Sequence, residues 1–283
     1  MRYVYHLGAH KTGSTLIQKN LSANLDALRE QGIWYVNEEM PKAISKQRKV
    51  LRQFRNPDLA TPPVDSLAGV NRRIATQARR ANAHTVLVSE ENRLGPPIHQ
   101  ELLWGIERPG LYPAAVDCMK YVTYQQPTEN MKFFLFSREP ASFALSLYSE
   151  AVRMGQTKLD IDPFFNEIDF DSINFEDLVA RLRTISTTIT VSMKAFEDVR
   201  TDAKNLLTHT FEELSIDLTN IKFDLERTRT RLDRSQISDI LELENQEDIR
   251  PILRQKRKNE ILAREPDDQN MISLPKWVQE TLS

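Results

Sequence analysis

Lys11, Thr12, Gly13, Ser14 and Thr15 follow one another in the stretch "HLGAHKTGST", residues 6 to 15. A lysine, a glycine and three hydroxyls packed this closely suit the holding of an oxyanion. Glycine lets the backbone approach the anion and take a positive φ. The hydroxyls of Ser14 and Thr15 can donate hydrogen bonds while capping a following helix, and Lys11 adds a point charge. Free N–H groups and the dipole at a helix N-terminus complete such a site. The order of residues is not that of the nucleoside-triphosphate loop G-x-x-x-x-G-K-[ST], because Lys11 precedes Gly13 by two positions and no lysine follows it.

A second constellation lies in "FFLFSREPASFALSLYSE". Arg138 ends an apolar run, and Ser146 stands eight positions further on. An arginine at a strand end and a serine two turns into the next helix can face one anion. The competing reading pairs Arg138 with a carboxylate and leaves Ser146 as helix filler. Two acidic pairs are candidates for a general base: Glu90 and Glu91 in "LVSEEN", and Glu38 and Glu39 in "VNEEMP". Either pair also reads as solvated loop acids. His6 reads as buried in a strand, whereas His10 is placed to touch a ligand.

These residues need elements to hold them. "RYVYHLG" is strand-like and runs directly into the loop. Ile17, Leu21, Leu25 and Leu28 then recur at helical spacing as far as Gly32. "IWYV" is a short extended piece. "HTVLVSEEN", "KFFLFSR" and "TITVSMK" are further strands, the first apolar enough to be buried on both faces of a parallel sheet. Pro140 suits the first position of a helix and Gly155 its end. Strand and helix alternate through most of the chain, so the expected fold is α/β, with a parallel sheet of four to five strands flanked by helices. No repeat or linker is visible, and one domain is expected over residues 1–283. A helical insertion at 41–83 would cap the ligand end of the sheet, and 220–283 would form a helical C-terminal extension.

Together the two constellations resemble the sulfotransferases that use 3′-phosphoadenosine 5′-phosphosulfate (PAPS). The family's loop K-[ST]-G-[ST]-T is matched by Lys11-Thr12-Gly13-Ser14-Thr15, and its R-x-P…S-x-Y pattern by Arg138, Pro140, Ser146 and Tyr148. Phe196-Glu197-Asp198-Val199 stands where the family carries an acidic-aromatic segment. The resemblance implies a P-loop-like three-layer fold and transfer of a sulfuryl group to a hydroxyl, without a metal. It implies that residues 11–15 grip the 5′-phosphosulfate, with Lys11 near the bridging oxygen. Arg138 and Ser146 would hold the 3′-phosphate, and Glu91, with Glu90, Glu38 and Glu39 as rivals, would be the base, His10 standing by. The soluble bacterial branch of the family points to a sugar, glycolipid or small-metabolite acceptor. The Gly-rich basic segment that some relatives close over the 3′-phosphate is missing. "RTRTRLDR" (Arg227, Arg229, Arg231, Arg234) and "RQKRK" are basic but lack its glycines. A nucleotide-binding module without catalysis, or a P-loop kinase, is the alternative.

Bulk properties set the remaining expectations. The chain has 283 residues, 40% hydrophobic and 28% charged, and a net charge of −2. That charge argues against a general nucleic-acid binder. One cysteine, Cys118, excludes an internal disulfide and fits a reducing compartment. No apolar run reaches the ~20 residues of a membrane span, and no signal peptide is visible, so a cytoplasmic protein is expected. The oligomeric state is not legible.

Overall fold

A computed structural model of the chain describes residues 1–9, 11–36, 64–97, 110–226 and 231–281. Five strands form one sheet: β1 (Arg2–His6), β2 (Ile33–Tyr35), β3 (Thr85–Ser89), β4 (Met131–Ser137) and β5 (Thr190–Ala195), in the order β2-β3-β1-β4-β5. All four pairings are parallel. The runs rich in Val, Tyr and Phe become strands because β-branched and aromatic side chains pack well on a pleated surface. Both faces are covered, which a parallel sheet requires.

One face carries α1 (Ser14–Ala23), α2 (Leu25–Glu30) and α9 (Ala203–Glu213). Val4, Leu87, Phe134 and Phe136 of the sheet pack there with Ile17, Leu21, Leu28, Leu207 and Phe211. The opposite face presents Tyr3, Tyr5, Val86, Val88 and Phe133, all buried. It faces α3 (Val64–Arg80), α4 (Ala115–Val122) and α7 (Phe175–Arg183). Between β5 and α9 lies the short α8 (Phe196–Val199). The expected α/β fold is therefore observed, with "IWY" as the fifth strand.

The described residues divide into two compact units. The first takes the residues up to Arg138 and again from Ser172 to Glu226, and so contains the whole sheet. The second takes Glu139–Asp171 and the described residues from Arg231 onward. Its helices are α5 (Pro140–Met154), α6 (Ile161–Asn166), α10 (Arg234–Asn245), α11 (Pro251–Leu262) and α12 (Lys276–Thr281). Pro140 is indeed the first residue of α5, and Gly155 ends it in the left-handed region at φ 66°. A side chain at Gly155 would meet the buried ion pair of Lys258 with Glu244, whose charged atoms are 2.6 Å apart.

Two local features differ from the pattern in the sequence. The helix expected from Ser14 to Gly32 breaks at Asn24, whose φ of −116° separates α1 from α2. Residues 217–226, at the head of the expected helical extension, form no helix. One cause explains both. Asn24 donates to Lys222 O and accepts from Lys222 N, each at 2.9 Å. Asn20 makes the same two bonds with Asp224 at 2.8 and 2.7 Å, and Gln31 does so with Asp217, both at 2.8 Å. Each side-chain amide imitates a strand edge, so the backbone of this strap is satisfied without helix or sheet. Of the 41–83 cap, residues 64–80 are helical, and the part before Val64 lies outside the described residues.

Candidate active site

In the order β2-β3-β1-β4-β5 the strands build outward from β1, first to the side of β3 and β2 and then to the side of β4 and β5, and in open α/β sheets ligands bind beyond the carboxyl ends of strands at such a switch point. Lys11–Thr15 stands there. Lys11 and Gly13 both have positive φ, 68° and 77°. Gly13 is the N-cap of α1 and no side chain caps that helix, so the expected capping by Ser14 and Thr15 does not occur. A Cβ on Gly13 would lie 2.6 Å from Leu206 Cδ2, which fixes glycine there by space as well as by φ. Ser14 is buried, and its hydroxyl has no hydrogen-bond partner among the described residues. Thr12 is buried too, but its hydroxyl donates to Ala9 O at 2.7 Å and so stabilises the loop itself. Thr15 is exposed on the first turn of α1.

Glu90 and Glu91 follow the end of β3. Glu90 is buried and its N–H donates to His6 O at 3.2 Å. Glu91 comes close to the loop: a Cβ on Gly8 would be 2.3 Å from Ser14 Oγ and 3.4 Å from Glu91 Cβ. Gly8 is thus the position where the strand end, the Ser14 hydroxyl and the Glu91 stem converge. Sequence reasoning missed it, although a glycine directly after a strand and before a phosphate-type loop is a usable signal. His6 is fully buried in β1, as expected, and burial lowers its pKa from 6.5 to about 4.

Arg138, at the end of β4, is buried and reaches the same loop. Its Nη1 donates to Lys11 O at 2.7 Å. Its guanidinium lies over the ring of Phe196, 5.5 Å from the centroid, a cation–π contact that fixes the head group's plane. The acidic-aromatic segment singled out in the sequence therefore supports Arg138. The carboxylate of Glu139, next in the chain, accepts from Ala141 N at 2.8 Å and Ser142 N at 2.6 Å and so caps α5.

Ser146 lies in α5 of the second unit, buried, its hydroxyl donating to Ser142 O at 3.0 Å. Arg231 Nη2 stands 3.4 Å from the same Oγ. The chain directly after Arg231 is anchored, since Leu232 N donates to Ser149 Oγ at 3.4 Å and Asp233 caps α10 through Gln236. Among the described residues of the basic run 227–234, Arg231 is the one placed on a predicted site residue. The signal was faint, because its partner is 85 residues away.

The first unit thus brings together Lys11, Gly13, Ser14, Glu91 and Arg138, and the second brings Arg231 to Ser146. His10, Glu38, Glu39, Arg227 and Arg229 lie outside the described residues. Among the described residues no group of three or more His, Cys, Asp or Glu is arranged to hold a metal. No helix among them is long and apolar enough to cross a membrane.

No protein-family model matches the chain, and no curated protein matches it. Among solved structures it is similar to the crystal structure of a sulfotransferase from Alicyclobacillus acidocaldarius. The two are 16% identical with a TM-score of 0.45, over 81% of this chain and 87% of that one.

Proposed function

We propose that this chain transfers a sulfuryl group from PAPS to a hydroxyl of an acceptor, a carbohydrate or glycolipid. The observation that carries the reading is the uncapped N-terminus of α1, where the buried Ser14 hydroxyl lacks a partner among the described residues while Glu91 stands against the same loop. Uncapped amides, a donor hydroxyl and Lys11 suit the 5′-phosphosulfate. The nearby carboxylate suits removal of the acceptor's proton. Arg138 and Ser146 are the proposed ligands of the 3′-phosphate, with Arg231 adding the charge that the missing Gly-rich segment supplies in relatives. One sulfotransferase-like domain over 1–283 and a cytoplasmic location belong to the same proposal.

The reaction is an in-line displacement at sulfur. The acceptor oxygen forms the new S–O bond while the bond from sulfur to the bridging phosphate oxygen breaks. 3′,5′-ADP leaves with the electron pair, its charge stabilised by Lys11, and the acceptor's proton passes to Glu91. Positioning and charge stabilisation dominate such transfers, as they do in phosphoryl transfer, and no step calls for a metal.

The test is transfer of radiolabelled sulfate from PAPS to a panel of hydroxyl acceptors. Lys11→Ala is expected to lose about 10²–10³-fold in rate. Glu91→Gln is expected to lose about 10²–10⁴-fold while binding 3′,5′-ADP as before. A fully active Glu91→Gln removes Glu91 as base. A wild type that binds the nucleotide but transfers to no acceptor favours the non-catalytic binding module.

A further inference from the structure

Ser89 ends β3 and is held from two sides by the first βα unit. Its hydroxyl lies 2.8 Å from His6 Nδ1, and its carbonyl accepts from Gln18 Nε2 at 3.2 Å. The next amide, that of Glu90, donates to His6 O at 3.2 Å. The His6 ring is itself immobilised, stacked on Phe134 at 5.8 Å and edge-on to Phe136 at 6.4 Å. Its Nε2 is buried and has no hydrogen-bond partner among the described residues. A buried N–H without an acceptor is rarer in proteins than a bare acceptor, which puts the ring proton on Nδ1. Nδ1–H then donates to Ser89 Oγ, and the Ser89 hydroxyl hydrogen stays available to another acceptor at the carboxyl edge of the sheet. The lowered pKa keeps the ring neutral in this arrangement.

We propose that His6, as its Nδ1–H tautomer, is a positioning residue that acts through Ser89, with Gln18 on the same residue's carbonyl, to fix Glu90 and Glu91 against the Gly8–Ser14 loop. Packing alone does not explain the choice of residue. Phenylalanine would fill the space beside Phe134 and Phe136 without leaving a buried polar atom. The kinetic consequence rests on the sulfuryl-transfer reading; the geometry does not.

The experiment compares His6→Phe, His6→Asn and Ser89→Ala with wild type. Asparagine places an amide donor where Nδ1–H stood, so it restores the bond to Ser89 that phenylalanine loses. Expected in His6→Phe is a fall in kcat of about tenfold to a hundredfold, with unchanged affinity for 3′,5′-ADP and most of the loss recovered in His6→Asn. Ser89→Ala should lose as much, and the double variant His6→Phe/Ser89→Ala no more than either. Wild-type kcat in His6→Phe, no recovery in His6→Asn, or a loss confined to nucleotide affinity overturns the proposal. Two readouts do not depend on activity. Nitrogen-15 spectra of the wild-type imidazole should show the proton on Nδ1, and a proton on Nε2 overturns the assignment. Hydrogen exchange at the Glu90 amide should be faster in His6→Phe and Ser89→Ala than in His6→Asn, and equal rates overturn it. A protein that transfers no sulfuryl group but passes both tests defeats the functional reading and upholds the positioning one.

Discussion

At the scale of the residue, Gly8 has no room for even a methyl group, because the position of a Cβ is already within 2.3 Å of Ser14 Oγ and 3.0 Å of Ser14 Cβ. Gly8→Ala must therefore displace the Ser14 side chain at the start of α1. Overpacking of this kind costs about 1–3 kcal/mol, or about tenfold or more in affinity if the distortion falls on the ligand loop. Calorimetry with 3′,5′-ADP should show that weakening, and an unchanged affinity would mean that the loop yields without harm. His6 leads to a separate prediction about pH. Its folded pKa of about 4 lies below the ordinary 6.5, so the unfolded chain binds the extra proton between these values. The stability that comes from keeping the ring neutral is present above pH 6.5 and is lost as pH falls toward 4. The full loss is about 3 kcal/mol. Urea unfolding at a series of pH values should show this component in wild type and lack it in His6→Asn. Parallel curves would contradict the buried neutral ring.

At the scale of the element, the strap at residues 217–226 depends on three side-chain amides rather than on a regular ladder. Asn24→Ala removes both bonds to Lys222 and leaves a part-buried N–H and carbonyl without their partners. The expected loss is about 1–3 kcal/mol in urea unfolding, and a loss below about 0.5 kcal/mol, ordinary for a surface change, would show that the strap is held by other contacts. The same device marks the limit of what the sequence revealed. The strands were legible because their apolar runs are long and local, and Pro140 and Gly155 because they fix backbone angles by themselves. The break at Asn24 and the non-helical strap were not, since an asparagine four residues after another reads as helix surface until the partner backbone, about 200 residues later in the chain, is known. The candidate site divides along the same line. Lys11 to Thr15, Glu91 and Arg138 announce themselves by type and spacing. The inward turn of the Thr12 hydroxyl, the crowding at Gly8 and the approach of Arg231 to Ser146 are set by tertiary packing.

For the whole molecule, the passage from the sheet-bearing unit to the helical one falls between Arg138 and Glu139, within "SREPAS". That stretch has neither the length nor the composition of a linker, which is why a single domain was the natural reading of the sequence. The central claim is that the chain reads a nucleotide by both of its phosphate ends, and calorimetric titration with 3′,5′-ADP tests it most directly, with 5′-AMP and ATP–Mg²⁺ as controls. The account predicts binding of 3′,5′-ADP that 5′-AMP and ATP–Mg²⁺ do not match and that Arg138→Ala or Ser146→Ala weakens by about tenfold or more. Preference for ATP–Mg²⁺, or equal binding of 5′-AMP and 3′,5′-ADP, would contradict it.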